Sequence, residues 1–477
     1  MGEIDASGVP RRVDGGSPPS PVAVVPRRTA GAGTGSRRDT AVLWCVNAVD
    51  ALGSQASGLV FPLLLLDLGH GPATAGAFAS AAAIAGVLLG PLIAVPADRG
   101  HRRALMTASA VLATLAMAGL ATACLRHPPL WVLLGLAVTE RLSATGYEAA
   151  ARGALSRLAA PEDMPRAVAG VQAGDQAALV LGPALGGVLF GVSRFLPFAV
   201  DAVTYAVTAL GTRAIRSHLD APPVSAPVPS AAASAAAALS AQPSRVTAEP
   251  PCGTGALRRV TDELRAGVRV VVRSPVLRLV LWWSSVASGV LALLFYAAVF
   301  VMGGRSGGAV TGGVLAVSGA AGLAGSLVAA PVVRRFGAHR SLAAATWLLL
   351  PPCAALSVAG GPWAWALCFS ALCAVLPVVT VVLGSAAVLA APRELQSRTG
   401  AVLAAGAATT AALAPVCAAA LVGWGGGRAP ALCCGAVLAV LAAHTQRSAA
   451  AVLRPAVPAD GPGRTGPSTS ATPGERP

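Results

Sequence analysis

Ionisable side chains stand inside long apolar runs of this 477-residue chain, and five of them bear on its chemistry: Asp50, Glu140, Arg141, Asp175 and Asp201. Their types define the chemistry on offer. A carboxylate in apolar surroundings can alternately bind and release a proton, and an arginine beside it can hold a substrate or supply the counter-charge. Placing each such group at the centre of a bilayer costs about 2.5 to 3.5 kcal/mol on insertion scales, so each is expected to have a partner or a task. Asp50 lies about ten residues, roughly 15 Å, into its run, and Glu140 about as far into its own from the opposite end. Both are therefore expected near the middle of a membrane. Neighbours on a helix project about 100° apart, so Arg141 can pair with Asp50 or Asp175 while Glu140 faces elsewhere. Spacing leaves that pairing open. Asp201, in FAVDAVTYAV near the outer end of its run, reads as structural.

Other chemistries find little support. The six histidines (His70, His101, His127, His218, His339, His444) are scattered through loops and run ends, with no HExxH pair. No GxxxxGK[ST] loop occurs, which argues against direct drive by a nucleoside triphosphate. Of the nine cysteines, Cys45, Cys124, Cys353, Cys368, Cys373 and Cys417 are isolated in apolar stretches and Cys433 and Cys434 adjoin, without metal-ligand spacing. They read as small packing residues. The expectation is no enzyme, no cofactor and no metal.

The elements that must position the five groups are visible in composition. The chain is 55% hydrophobic and 12% charged, with mean hydropathy +0.68, far too apolar for an ordinary soluble protein. Apolar runs fall at about 41–66, 73–97, 104–124, 129–151, 166–191 and 195–215, then at about 278–302, 308–333, 341–359, 364–391, 399–425 and 429–447. Each suffices to cross roughly 30 Å of hydrocarbon at about 1.5 Å per residue. The expected fold is an all-α polytopic membrane protein with 12 transmembrane helices as two six-helix bundles. All ionisable candidates belong to the first six: no Asp, Glu, Arg or His occurs within about 282–300, 308–333, 341–391 or 399–427.

All 35 basic residues are Arg, and the net charge of +15 could suggest nucleic acid, but the arginines lie between apolar runs. With the N-terminus cytoplasmic, 30 of them fall on the inside and four (Arg126, Arg194, Arg305, Arg428) outside. That asymmetry predicts both termini cytoplasmic. Trp131, Trp363, Trp365 and Trp424 near outer ends, and Trp44, Trp282 and Trp283 near inner ones, agree with interfacial belts. The resulting divisions are a Gly/Pro/Ser/Arg-rich tail at 1–40 without a signal-peptide core, bundles at 41–215 and 278–447, a connection at 216–277 and a tail at 448–477. Within the connection, Leu257 to Leu277 carries Arg258, Arg259, Asp262, Glu263, Arg265 and Arg269 at helical spacing and is expected on the membrane surface.

One stretch ties these elements to a known family. GPLIAVPADRGHRR, from Gly90 to Arg103, passes from an apolar run into Asp98, Arg99, Gly100, His101, Arg102 and Arg103. It resembles the loop signature of the major facilitator superfamily between the second and third membrane helices; Gly90, Asp98, Arg99, Arg102 and Arg103 fit, while Gly100 comes one place early and His101 occupies the usual glycine position. By that resemblance Asp98 and Arg102 latch the two halves on the cytoplasmic side. The halves also echo each other: Leu43-Trp44 with Leu281-Trp282, VRRFGAHR with the loop just described (Arg334 standing for Asp98), and Pro161, Arg166 and Gly170 with Pro392, Arg398 and Gly400. Matches at an offset of about 231 to 238 argue for a duplicated six-helix unit related by pseudo-twofold symmetry.

Three further stretches resemble signatures of that superfamily, the first two those of its exporters. GDQAALVLGPALGGVLFG resembles the antiporter signature of helix 5 through Gly182, Pro183, Gly186 and Gly187, preceded by Gly174. Glycines at i, i+4 admit a neighbouring helix closely and Pro183 permits a bend. ELRAGVRVVVRSPVLRLVL resembles the segment before helix 7 in enterobactin-efflux and macrolide-efflux permeases, and Arg141 with Gly146, Ala149 and Ala150 resembles the helix-4 signature linked with proton transfer, Glu148 replacing a small residue. The resemblance implies a proton-coupled antiporter exporting a small amphipathic drug or natural product by alternating access, as a monomer. An uptake carrier of the same fold, a membrane enzyme or a non-transporting sensor are the alternatives. The Arg-only, Ala-rich composition suggests a high-GC bacterium and hence its cell membrane. The partners expected are a small-molecule substrate, protons and the lipid bilayer.

Overall fold

The computed structural model describes residues 32–126, 128–159, 163–217, 219–220, 265, 267–303, 307–358, 360–391 and 395–452. Most of the expected tails and connection, including 257–264 of the surface segment, lie outside the described residues. Within them the chain forms twelve helical spans. They are α1 (Ala32–Asp67), α2 (Pro72–Asp98), α3 (Arg102–Ala123), α4 (Leu130–Leu158), α5 (Met164–Val192) and α6 (Leu196–Ala214), then α7 (Pro275–Met302), α8 (Gly307–Phe336), α9 (Ala338–Val358, interrupted at Leu349), α10 (Pro362–Ala390), α11 (Gln396–Gly425) and α12 (Arg428–Val452). Residues 267–273 add a short helical stretch before α7.

Alanine and leucine supply the helix propensity, and the abundant glycines, unfavourable in water-exposed helices, let these spans pack closely. The joints within each set of six are short, so successive helices run antiparallel, with the start of α1, the end of α6, the start of α7 and the end of α12 at one end (the connector end). Turns use residue types suited to them. Gly100 between α2 and α3 has φ +98°, and Gly337 between α8 and α9 has φ +80°. His101 has φ −87°, so the glycine stands where left-handed backbone is needed although it precedes its usual place. The two glycines are 237 positions apart (337 − 100), within the offset range of the internal echo.

In the first bundle α1 packs on α5 and α6, α3 on α4 and α6, and α2 on α4; in the second, α7 packs on α11 and α8 on α10. The bundles meet through α2 against α11 and α5 against α8. These contacts are backbone-close. A Cβ on Gly187 would lie 2.4 Å from the Gly308 carbonyl oxygen, and one on Gly312 2.4 Å from that of Pro183. Val416 N donates to Ser80 Oγ at 3.1 Å. All these residues lie in the halves of their helices away from the connector, so the bundles are closed together at that far end.

Two boundaries differ from the sequence expectation. Helix α1 begins at Ala32, inside the expected tail, because Asp39 is buried and accepts hydrogen bonds from the backbone N–H groups of Arg216 and Ser217 just past α6. A charge that reads as solvated tail is a tether between the first helix and the start of the connection. Helix α12 likewise continues to Val452, beyond the expected 447.

Candidate functional site

Ten of the spans among the described residues are long and apolar enough to cross a membrane by composition; α4 and α6 are not among those ten. They fall short because they carry the polar groups that converge on α1. On α1, Asn47, Asp50, Ser54 and Ser57 recur at helical spacing; on α6, Asp201, Tyr205, Thr208 and Thr212 do the same. Each set lines one helix face. With Glu140 and Tyr147 of α4 they make a polar seam inside the first bundle.

The seam is hydrogen-bonded across all three helices. Tyr205 Oη donates to Glu140 Oε1 at 2.7 Å and lies 3.0 Å from Ser54 Oγ. With the phenolic proton given to Glu140, Ser54 is the donor in the second bond. Thr204 Oγ1 donates to Asp201 Oδ1 at 3.0 Å, and Tyr147 Oη to Asn47 Oδ1 at 2.9 Å. Thr208 lies beside the Asp50 carboxylate and Ser57 beside Asp201. Asp201, Thr208 and Thr212 are fully buried, and Tyr205 is 1% exposed. Gly53 makes this approach possible: a Cβ there would sit 2.3 Å from Asp201 Oδ1 and 2.1 Å from Thr204 Oγ1.

Two acceptors in the seam stay unsatisfied. Asp50 Oδ1 and Asp201 Oδ2 are buried without a hydrogen-bond partner. Among the described residues no basic side chain comes within 4.0 Å of Asp50, Glu140 or Asp201; the ion pair present, Arg194 with Asp67 at 2.6 Å, is at the far end and largely solvent-exposed. Three carboxyl groups thus share one low-dielectric region with no cation in contact, Arg141 acting on Glu140 only at a distance, a costly arrangement unless protons or a ligand complete it.

Arg141 joins neither Asp50 nor Asp175. It is exposed and lies along α2 at Gly86, where a Cβ would be 3.1 Å from Arg141 Cγ and 3.3 Å from Nε. Adjacent on α4, Glu140 and Arg141 therefore face different ways, one into the seam and the other along α2, as their angular separation requires. Asp175 is exposed on α5 and outside the seam; its neighbour Gly174 instead packs on Ala48 of α1. Sequence reasoning singled out Asp50 and Glu140, set Asp201 aside as structural, and missed Tyr205, Tyr147, Ser54 and Thr208. The recurrence of hydroxyl residues every third or fourth place in DAVTYAVTALGT was the signal available.

The α5 glycines divide by direction. Gly182 and Gly186 face α1 at Gln55 and Ala56, while Pro183 and Gly187 face α8. In the loop after α2, whose last residue is Asp98, Arg99 is exposed and Gly90 packs near Thr145 of α4. Arg103 Nη2 donates to the Ser217 carbonyl at 2.8 Å, and its backbone N–H to Asp220 Oδ1 at 3.2 Å. Arg102 Nη1 is buried without a partner, and its Nε would lie 2.7 Å from a Cβ on Gly153 of α4. The described contacts of Arg102 and Arg103 are thus with the first bundle and the start of the connection, not with the second bundle.

Among the described residues no group of three or more His, Cys, Asp or Glu has the arrangement to hold a metal ion. No curated protein sequence matches the chain. Solved structures share its fold at low identity. A bacterial homologue of the human lysosomal transporter Spinster, inward-facing and unoccupied, aligns with 89% of this chain and 98% of its own at 14% identity and TM-score 0.61. A POT family transporter in complex with a thioalcohol-conjugated peptide aligns over 87% and 97% at 14% identity and TM-score 0.62. The nucleoside transporter NupG does so over 86% and 98% at 13% identity and TM-score 0.60. The family model of the Major Facilitator Superfamily matches residues 43–391, most of both bundles. With that match and two bundles closed on each other at one end, the chain belongs to the major facilitator superfamily and is a multi-pass membrane transporter, not an enzyme.

Proposed function

We propose that the chain is a proton-coupled exporter of small amphipathic organic compounds, working as a single chain in a bacterial cell membrane with both termini cytoplasmic. The supporting observation is the seam: Asp50, Glu140 and Asp201 lie among hydrogen-bonding hydroxyls without a basic partner, so the positive charge they lack is one that protons can bring. Glu140 and Asp50 are the proton carriers, with Tyr205 passing changes at Glu140 to Ser54 on α1. With the far end closed, a gap between the bundles beside Arg141 would be open to the cytoplasm, the state from which an exporter loads. Protonation of the seam would release α1 from α4 and α6 and let the bundles rock about the gap. A membrane potential adds about 2.3 kcal/mol per charge per 100 mV, comparable with the binding differences to be offset. Export is supported by the Gly182-Pro183 and ELRAGVRVVV resemblances.

Susceptibility profiling of a hypersensitive host against hydrophobic antibiotics and natural products identifies the compound. Its transport in proteoliposomes should then collapse when the proton gradient is dissipated and in Asp50→Asn or Glu140→Gln. Undiminished transport in both variants removes the assignment.

A further inference from the structure

Between the seam and the far end stand three phenylalanine rings. Along α6, Phe195, Phe198 and Asp201 follow one another at intervals of three, so they share one face and step inward from the far end. Phe195 lines an open recess of about 400 Å³ at that end, together with Asp67, Phe190 and Arg194. Beneath it Phe198 is 0% exposed, and beneath that lies Asp201, fully buried, with Oδ2 unpartnered. The ring of Phe61 on α1 meets that of Phe198 at 5.1 Å and 63°, edge to face. Phe61 follows Ser57 by four residues, so it too stands about one turn outward of the seam. Phe78 of α2 backs Phe61 at 6.3 Å. It lies two residues from both Gly76 and Ser80, and therefore on the opposite side of α2. Those two residues touch the second bundle: a Cβ on Gly76 would be 2.6 Å from the Pro415 carbonyl oxygen of α11, and Ser80 Oγ accepts from Val416 N.

A proton-coupled exchanger takes up protons on one side and releases them on the other without a path open to both. While the far end is closed, the seam therefore needs a barrier on its far side, and the rings occupy that place. We propose that Asp201 is the port through which far-side protons enter the seam, and that Phe61 and Phe198 are the stopper over it, held shut while α2 lies on α11. The proposal rests on the reading of the chain as a proton-coupled exporter. When the bundles part at the far end, α2 is released from Pro415 and Val416, Phe78 withdraws from Phe61, and water from the recess meets Asp201. The carboxylate takes a proton from that water and passes it to Ser54, the neighbour of the Gly53 on which it lies. Ser54 gives its own proton to Tyr205, and Tyr205 gives its own to Glu140, along the bonds of 3.0 and 2.7 Å. Glu140 ends as the acid and Asp201 as a carboxylate again. The ionisable groups around the port are Glu140 and Asp50 of the seam and the Arg194–Asp67 pair at the recess; α3 carries none past Arg103, and Asp175 of α5 is outside the seam.

Proton flux tests this in liposomes that carry the purified full chain and a trapped pH-sensitive dye, given a pH step with no transported compound present. The parent should leak little. Phe198→Ala should leak severalfold faster, because the port then opens to the recess while the far end stays closed. Adding Asp201→Asn to Phe198→Ala should return the flux to that of the parent, since an amide cannot carry the proton. Phe61→Ala, at a half-buried position that asks less of the fold, should leak in the same Asp201-dependent way. Phe195→Ala, which takes a ring from the recess and leaves the stopper in place, should not leak. The proposal is overturned if neither Phe198→Ala nor Phe61→Ala leaks, if the leak survives Asp201→Asn, or if Phe195→Ala leaks as much. Failure of the broader reading looks different. A parent whose transport ignores the proton gradient, combined with an Asp201-dependent leak in Phe198→Ala, keeps the port and removes the coupling.

Discussion

At the scale of single residues, the seam depends on a phenol and on a missing side chain. Tyr205 is where α6 touches α4 and α1 at once, through Glu140 and Ser54. Tyr205→Phe keeps the ring in place and removes one oxygen, leaving Glu140 Oε1 without that donor, so it should lower stability by about 1–3 kcal/mol. Its larger effect should be on coupling: the pH profile of transport should shift while binding of substrate at fixed pH changes little. Flux measured against pH in vesicles checks this, and an unmoved profile would confine Tyr205 to packing. Gly53 admits Asp201 and Thr204 against α1. Gly53→Ala should lower the melting temperature of the solubilised protein, at a cost of about 1–3 kcal/mol, because the Asp201 carboxylate and the Thr204 side chain must both give way. Gly58→Ala, with open space around its Cβ, should leave it unchanged. Of these residues Asp50 and Glu140 were legible in the sequence because a charge in an apolar run is conspicuous. Tyr205 and Ser54 were not, since a hydroxyl in a helix often returns its proton to the carbonyl four residues back, as Thr139 does with Gly135. Only the fold shows which hydroxyls do otherwise.

Among the elements, α4 and α6 show how a helix poorly suited to lipid is kept in the membrane. Their polar residues face one another and α1, and lipid meets their apolar sides, as at Val203, Val207 and Leu210 of α6. An isolated α6 should therefore insert poorly, and Asp201→Ala should improve its insertion by about 2.5 kcal/mol or more while impairing transport by the whole chain. A glycosylation-based insertion assay on the single helix, set beside vesicle flux, checks both halves. The helix count was legible because length and hydropathy suffice for it. The start of α1 was not: Arg37, Arg38 and Asp39 carry the composition of a tail, yet Asp39 is 2% exposed and holds two backbone donors beyond α6. Asp39→Ala should free residues 216 and 217, seen as faster amide exchange there, with a stability loss of about 1–3 kcal/mol.

For the molecule as a whole, function requires that the end now closed be able to open. Its closure is made of backbone against backbone, with Gly187 on Gly308, Gly312 on Pro183, and Ser80 hydrogen-bonded to Val416 N beside Pro415. Beside them Leu63 and Leu66 of α1 pack on Gly303 just past α7, and Phe190 of α5 on Gly308, so the closure buries side chain as well as backbone. Enlarging one residue at the backbone contacts should tip the balance between closed and open. A leucine in place of Gly312 has no room beside Pro183 and should prise α5 from α8, favouring the state open at the far end. The same change at Gly313, where a Cβ meets nothing within 4 Å, should not. Spin labels on the far ends of α5 and α8 should report a longer separation in Gly312→Leu than in the parent or in Gly313→Leu. Transport should fall in the first variant alone, because a protein held in either state cannot cycle. Equal separations in all three would mean that the bundles are not divided at α5 and α8, and that the gap beside Arg141 opens by some other motion.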